Sequence, residues 1–369
     1  MHVVLSLVVG GMERLVVENS LRMDPDRFNV EVCCLDELGH FSGYLMDRGV
    51  KVTLLQRNQH RYDYFYPFRL RSLLRARNIH VMQMHSGTFF LATQAGVLAR
   101  TPAMVYTDHG RALFDSRIRM VEDRISGWFV HKVVAVSREL EQYLVDVVKL
   151  PANKTVTVIN GINTTVFKAR PRPESLATEL GISPDHRVIG TVGRLDEVKD
   201  QVSMIEAFKL VHDQVPQSVL LFVGDGPQRS RLQDCVGENK LDGAVIFTGN
   251  RMDVPELLNL FDIFVLSSLS EGTSISLLEA MASGLPAVVT DVGGNPSVVD
   301  NMVNGIVVKP KKVPQIAEAM LELLSDHDKR RQFGLNAAKK VQDRFSIDRM
   351  VEQYTSIYEE LLDRKRILN

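Results

Sequence analysis

Cysteine is scarce, with three residues in 369, two of them adjacent at Cys33 and Cys34. That excludes a disulfide framework and the spaced pairs of a structural zinc site. An excess of one charge is missing as well, because 44 basic residues stand against 45 acidic ones. A net charge of −1 lacks the basic surplus of a dedicated nucleic-acid binder, so no nucleic-acid partner is expected. Long apolar runs are absent. The stretch without formal charge between Arg77 and Arg100 holds His80, Gln83, His85, Ser86, Thr88, Thr93 and Gln94, too polar for the ~20 mostly apolar residues of a membrane span. The start of the chain has no charged segment followed by a cleavable apolar core. There is no 20–50-residue repeat and no low-complexity tract. These absences predict a soluble protein of a reducing, cytoplasmic compartment.

What is present is an ordinary globular composition, 45% apolar and 24% charged, in a chain too long for one compact core. Short β-branched runs alternate with helix-period segments. Strands are expected at Val3–Val8, Val30–Leu35, Val50–Leu55, Val81–Met84, Met104–Thr107 and Val133–Val136, with helices such as Met12–Arg22, Pro67–Arg77 and Ser137–Val147 between them. A second series follows at Arg187–Val192, Ser218–Val223, Ala244–Phe247, Ile263–Leu266, Ala287–Val289 and Gly305–Val308. The Pro- and Arg-containing stretch Lys168–Glu174 suits a connector, and Val313–Ile367 is helical in period throughout. The fold class expected is α/β, with two doubly wound Rossmann-like domains, 1–165 and 166–345, facing across a cleft, and C-terminal helices. Ligands of such sheets lie outside the carboxyl ends of the strands.

The motifs sit at those ends. Gly10-Gly11-Met12-Glu13 turns from the first strand into a helix, where glycine admits close backbone approach; a plain tight turn explains it equally well. His109, in Asp108-His109-Gly110, is placed to reach a ligand, and is also a common structural hydrogen-bonding residue. Arg194 and Lys199 flank a helix start in a way that suits a diphosphate clamp or a solvated loop. Gly224 and Gly226 are consistent with backbone close to a nucleotide, and Asn250-Arg251 repeats the theme after the next strand. The sharpest constellation is Ser270–Pro286. Glu271 projects from a loop, Glu279 lies about a turn into a helix starting near Ser274 or Ser276, and helix amides point between them. Carboxylates accept hydrogen bonds from sugar and ribose hydroxyls, and amides donate them to phosphate oxygens. Alternatively, Ser276 and Glu279 form a capping box. No acidic or histidine cluster stands at a strand end to bind a metal; Asp24 and Asp26 sit at a helix end.

Together Gly10–Glu13, Asp108–Gly110, Ala135-Val136-Ser137, Asn160-Gly161-Ile162, Gly193-Arg194-Leu195 with Lys199, Gly224–Pro227, and Glu271 separated by seven residues from Glu279 resemble the family 4 retaining glycosyltransferases of the GT-B fold. The resemblance runs the length of the chain. It implies a nucleotide-sugar donor, UDP- or GDP-linked, held by the second domain, and a glycan or lipid-linked acceptor held by the first, in polysaccharide or glycoconjugate assembly. By similarity Arg194 and Lys199 stabilise the diphosphate, Glu279 holds ribose hydroxyls, and Glu271 touches the transferred sugar. Gly272, Thr273, Ser274, Ile275 and Ser276 line sugar and phosphates, His109 approaches the anomeric centre, and Gly11 brings backbone to the diphosphate. No cofactor and no metal are implied. The helix from about Ser346 to Asn369 is expected to pack back on the first domain. One departure is Ser297, where the family segment often carries glutamate.

The alternatives are a nucleotide-sugar epimerase of the same architecture and a non-catalytic sugar-nucleotide-binding protein. Residues 1–165 carry 20 basic against 16 acidic side chains. The segment Gln56–Arg77 has six arginines against Asp63, interleaved with Tyr62, Tyr64, Phe65, Tyr66 and Phe68. It fits either a peripheral contact with anionic headgroups at the inner face of the membrane or a solvated helix with aromatics in the core.

Overall fold

The computed structural model describes residues 1–8, 10–56, 65–110 and 116–364. The chain forms two compact units, Met1–Gly161 together with the chain from Ile347 onward, and Ile162–Ser346.

The first unit holds the strands β1 (His2–Val4), β2 (Glu31–Cys34), β3 (Lys51–Leu54), β4 (Val81–His85), β5 (Ala103–Asp108), β6 (Lys132–Ala135) and β7 (Thr155–Thr157). They form one parallel sheet in the order β3-β2-β1-β4-β5-β6-β7. Between them run α1 (Gly11–Arg22), α2 (Phe41–Met46), α3 (Tyr66–Ala76), α4 (Phe89–Ala99), α5 (Arg117–Phe129) and α6 (Arg138–Asp146). Side chains of successive strand residues point to opposite faces, so Val3 and Cys33 pack with Leu70, Met82 and Phe89 on the α3–α4 side. Val4 and Cys34 pack with Val16 and Phe41 on the α1–α2 side. Burial pushes the thiols of Cys33 and Cys34 up to about 12, which leaves them inert packing groups.

The expected strand Val3–Val8 stops at Val4. Leu7 instead uses its amide on the carbonyl of Leu38 and its own carbonyl on the amide of Phe41. The edge strand β7 was not anticipated, because Thr155-Val156-Thr157 is short and mostly polar.

The second unit holds β8 (Arg187–Val192), β9 (Ser218–Val223), β10 (Val245–Phe247), β11 (Ile263–Leu266), β12 (Ala287–Thr290) and β13 (Gly305–Val308), in parallel order β10-β9-β8-β11-β12-β13. Its helices are α7 (Glu174–Glu179), α8 (Gln201–His212), α9 (Arg229–Glu238), α10 (Val254–Leu258), α11 (Ile275–Ala282), α12 (Asn295–Val298), α13 (Val313–Ser325) and α14 (His327–Arg344). β9 is buried along its whole length, as a parallel strand covered on both faces must be.

The last helix, α15 (Ile347–Arg364), returns to the first unit and packs on α1 and β5. It buries Ile347, Met350, Val351, Tyr354, Tyr358, Leu361 and Leu362. The Tyr358 hydroxyl donates to Gln83 Oε1, Gln83 Nε2 donates to Thr107 Oγ1 at 2.9 Å, and Tyr354 shares a 3.3 Å bond with Thr107. Burial raises the Tyr354 phenol to about 12, so this network stays neutral.

Candidate active site

Each sheet reverses its strand order once, and ligands of doubly wound sheets gather at that point. In the second unit the reversal lies between β8 and β11. The loop after β8 carries Arg194 and Lys199, and the loop after β11 carries Glu271. They meet there. Lys199 Nζ stands 2.6 Å from Glu271 Oε1, across 72 residues of sequence, with the carboxylate side chain only 8% exposed.

Fixed hydrogen bonds hold this pair. Ser268 Oγ donates to Glu271 Oε1 at 2.6 Å. Ser267 Oγ reaches the carbonyls of Lys199 and Asp200, both at 2.9 Å, and the Leu269 amide bonds the Val198 carbonyl at 2.8 Å. Asp196 caps the short turn Glu197–Lys199 through the Val198 amide and pairs with Arg194. Hydrogen bonding and the positive charge of Arg194 outweigh burial and hold the Asp196 carboxyl below its usual range. Arg194 itself is 71% exposed.

Glycines bring these loops together. A Cβ on Gly224, at φ +133°, would stand 2.1 Å from the Gly193 carbonyl oxygen, and one on Gly226 would stand 2.3 Å from that of Leu195. A Cβ on Gly293 would meet the Glu271 carbonyl oxygen at 1.8 Å. Gly224→Ala should therefore cost about 1–3 kcal/mol of stability through backbone strain. The same change should weaken nucleotide binding, read by calorimetry and by a ligand-induced thermal shift; a variant that unfolds and binds like the parent contradicts this.

α11 starts beside Glu271. Its N-cap is Ser274, which accepts from the Leu277 amide. The capping-box alternative for Ser276 and Glu279 therefore fails, because the residue three beyond the cap is Leu277. Glu279 lies a full turn inside the helix and is 4% exposed. A buried carboxylate in the first turns of a helix needs a polar or charged partner to offset its desolvation.

In the first unit the reversal lies between β1 and β4. Gly11 opens α1 after β1. His109 follows β5, its amide bonded to Ser86 Oγ at 2.9 Å, and Asp108 accepts from the Gly110 amide at 3.0 Å. Three imidazoles form a row here. His2 Nδ1 lies 3.1 Å from His85 Nε2, and His85 Nδ1 lies 2.9 Å from His109 Nε2. The rings of each neighbouring pair are stacked. The outer nitrogen of the row, His109 Nδ1, is buried and has no hydrogen-bond partner among the described residues. Burial pushes His109 down to about 4 and His2 to about 3, and holds His85 well below its ordinary value. All three are neutral at physiological pH.

Residues 9–166 match Glycosyltransferase Family 4, and residues 174–340 match the glycosyl transferases group 1 family. The chain is a family 4 glycosyltransferase. It is 26% identical, over 99% of its length and 97% of the other's, to the UDP-Gal:alpha-D-GlcNAc-diphosphoundecaprenol alpha-1,3-galactosyltransferase of Escherichia coli. It is 32% identical to the N-acetyl-alpha-D-glucosaminyl L-malate synthase of Bacillus anthracis, over 62% of this chain and 60% of that one. Anabaena HepE, solved with UDP and glucose, superposes with a TM-score of 0.87 at 22% identity, covering 97% of this chain and 98% of HepE. Sucrose-phosphate synthase from Thermosynechococcus elongatus superposes at 0.82 and 20% identity, covering 99% and 100%. These likenesses establish the GT-B fold, and the two family matches together with the galactosyltransferase name of the Escherichia coli relative disfavour the epimerase alternative.

Other expected site residues of this glycosyltransferase have partners within the second unit. Arg251 is bound by Asp253 at 2.6 Å and Glu179 at 2.9 Å, and those bonds raise its pKa further. Asn250 is exposed and follows Gly249, whose carbonyl accepts from the Gly224 amide at 2.9 Å. Thr273 and Ser274 are buried, Gly272 accepts from the Gly294 amide at 3.0 Å, and Ser276 Oγ lies 3.2 Å from Ser274 Oγ. Ser297 donates to the Gly294 carbonyl at 2.7 Å and so serves the start of α12. Among the described residues no group of three or more His, Cys, Asp or Glu is arranged to hold a metal ion.

Sequence reasoning missed Ser267, Ser268, His2 and His85. The serines had a signal, since they are small polar residues ending a wholly buried strand. The histidines had none, because only the strand order places β1 beside β4 and β4 beside β5.

Proposed function

We propose that this glycosyltransferase transfers a hexose from a UDP-sugar to a lipid-linked glycan, with retention at the anomeric carbon and without a metal cofactor. The observation that carries the reading is the Lys199–Glu271 pair at the reversal point of the second sheet. A departing nucleoside diphosphate gains negative charge, and fixed cations and amides are what stabilise it. Lys199, Arg194 and the amino end of α11 supply them. Glu279 takes the ribose hydroxyls and Glu271 the hydroxyls of the transferred sugar.

In the transfer the acceptor oxygen attacks the anomeric carbon from the side of the departing phosphate. The bond from that carbon to phosphate oxygen breaks with its electron pair passing to the phosphate. That oxygen then takes the acceptor proton. His109 is the group of the first unit assigned to the sugar, and Gly11 supplies backbone to the diphosphate. Support for UDP comes from the HepE complexes, which contain UDP or UDP-glucose, and support for a lipid carrier from the name of the Escherichia coli relative.

A lipid carrier sets the reaction at a membrane surface. Phe65 and Phe68, 75% and 52% exposed, with Arg69 and Arg75 on α3, belong to the basic aromatic segment expected to meet it. Its residues 57–64 lie outside the described residues.

A thermal-shift panel of UDP, GDP and ADP and their sugars tests the donor. UDP should raise the midpoint most, by the equivalent of about 2.7 kcal/mol at a hundredfold excess over Kd. Turnover should survive a chelator unchanged. No response to any nucleotide, or a strict need for added divalent metal, contradicts the proposal.

A further inference from the structure

We propose that the outward face of α5 is a docking surface for an anionic lipid bilayer. A surface helix of a globular domain turns its apolar stripe inward and its polar residues to water. α5 does the reverse. Ile118, Val121, Ile125, Trp128 and Phe129 are 73%, 51%, 47%, 70% and 52% exposed, whereas Asp123, Ser126 and Gly127 are buried. Positions 118, 121, 125 and 128 fall on one side of a helix, so the exposed residues form a continuous stripe about 16 Å long. By contrast, α15 buries Ile347, Met350, Val351, Tyr354 and Tyr358.

α5 holds its place without burying that stripe. A Cβ on Gly127 would come within 2.7 Å of the Leu150 side chain, so the helix backbone lies close against that segment. Ser126 Oγ donates to the Glu122 carbonyl at 2.8 Å. Lys154 Nζ donates to the carbonyls of Trp128 and Val130 at 2.7 and 2.8 Å, closing the C-terminal end where a cation is favourable. The stripe is therefore not needed to hold the helix, yet five large apolar side chains in a row face water.

Charge identifies the occupant. The exposed charges of α5 are Arg117 and Arg124, the latter also donating through Nε to the Val148 carbonyl at 3.1 Å, while Glu122 is half-buried and Asp123 lies 4.0 Å from Arg119. α4 touches both α3 and α5, so the three form one layer. In that layer α3 adds Arg69, Arg71 and Arg75 with no acidic residue, and α4 carries no charge. An apolar stripe with a tryptophan, flanked by arginines, is the pattern that lies in a headgroup layer and is drawn to anionic lipid. A second copy of the chain fits less well, because pairing two such helices antiparallel about their middle turns sets Arg124 near its own equivalent. The inference deepens the membrane part of the function proposed above, and it is read without any sugar substrate, so its failure leaves the donor reading standing.

Trp128 is the only tryptophan of the chain, and its emission reports on this helix alone. The test mixes the full chain with vesicles of phosphatidylcholine alone or with phosphatidylglycerol. The expected result is a blue shift and quenching by bromine-labelled acyl chains in the anionic vesicles, weakened at high salt. The double variant Ile118→Asp/Ile125→Asp should partition at least tenfold less, with unchanged unfolding midpoint and unchanged turnover of a water-soluble acceptor. Arg117→Glu should lose only the preference for anionic lipid. Emission indifferent to vesicles overturns the proposal. So does a lipid-free dimer that the double variant turns into monomer, because the stripe then belongs to a second copy. A fall in turnover of the soluble acceptor in the double variant overturns it as well, by assigning the stripe to the acceptor.

Discussion

Replacing Lys199 by alanine should lower turnover by about 10²–10³-fold, the usual cost of removing one group that meets developing charge. Two effects combine. The diphosphate loses an ammonium, and Glu271 loses its partner while remaining 8% exposed. Ser268 still donates to that carboxylate, and Lys199 is 24% exposed. The stability cost is thus nearer about 1–2 kcal/mol than the larger penalty of a fully buried pair. The two effects separate in a double variant. Lys199→Ala with Glu271→Gln should recover the unfolding midpoint and none of the turnover. Arg194→Ala should lose turnover to a comparable extent with no change in midpoint, since its side chain is largely in solvent. Circular dichroism, melting curves and steady-state rates are the measurements. Parent-like turnover in either single variant would remove the diphosphate assignment.

Stability should fall steeply in acid through the row of histidines. His109 is held at about 4 and His2 at about 3, with His85 well below its ordinary value, chiefly by burial. In the unfolded chain all three titrate near 6.5. Above about pH 8 neither state carries these protons and the row costs nothing. As pH falls through 6.5 the unfolded state binds three protons that the folded state refuses. Below about pH 6 the free energy of unfolding therefore drops by up to about 4 kcal/mol per pH unit from these groups. His85→Gln and His109→Gln should each reduce the slope by up to about 1.4 kcal/mol per pH unit. The buried Met1 amine, which burial lowers to about 5, adds a steady contribution to that slope. Denaturant titrations between pH 6.5 and 5 test this, before most carboxylates titrate. An unchanged slope in both variants would mean that the rings are not kept neutral. In the rate profile, a His109 held near 4 predicts no ionisation of that group around pH 6.5.

The reading of the sequence succeeded where a local pattern carries its own cause. Apolar runs ending in glycine, such as Ile189–Gly193 and Val219–Gly224, announce parallel strands whose turns must admit close backbone approach, and the sheets contain them. Glu271 and Lys199 stood out because each lies in the loop that follows a buried strand, although nothing in the sequence shows that they bond each other. That contact depends on β8 lying beside β11, a property of sheet order. The same limit hid His2 and His85. The start of α11 was ambiguous because Ser274 and Ser276 both suit a cap; the structure uses Ser274, whose ψ of 118° is extended, to end the loop. α5 escaped notice because its stripe has the period of an ordinary core helix, and only exposure reveals that it faces outward.

The route of the backbone has a consequence for biosynthesis. α15 supplies Tyr354 and Tyr358 to Thr107 and Gln83 in the first unit, but it is translated only after all of Ile162–Ser346. On the ribosome the unit begun first is finished last, waiting with an uncovered sheet face while its neighbour, continuous in the chain, can complete its own core. Chains stalled short of Ile347 would expose that face, making the nascent first half a natural client for chaperones that bind apolar surface.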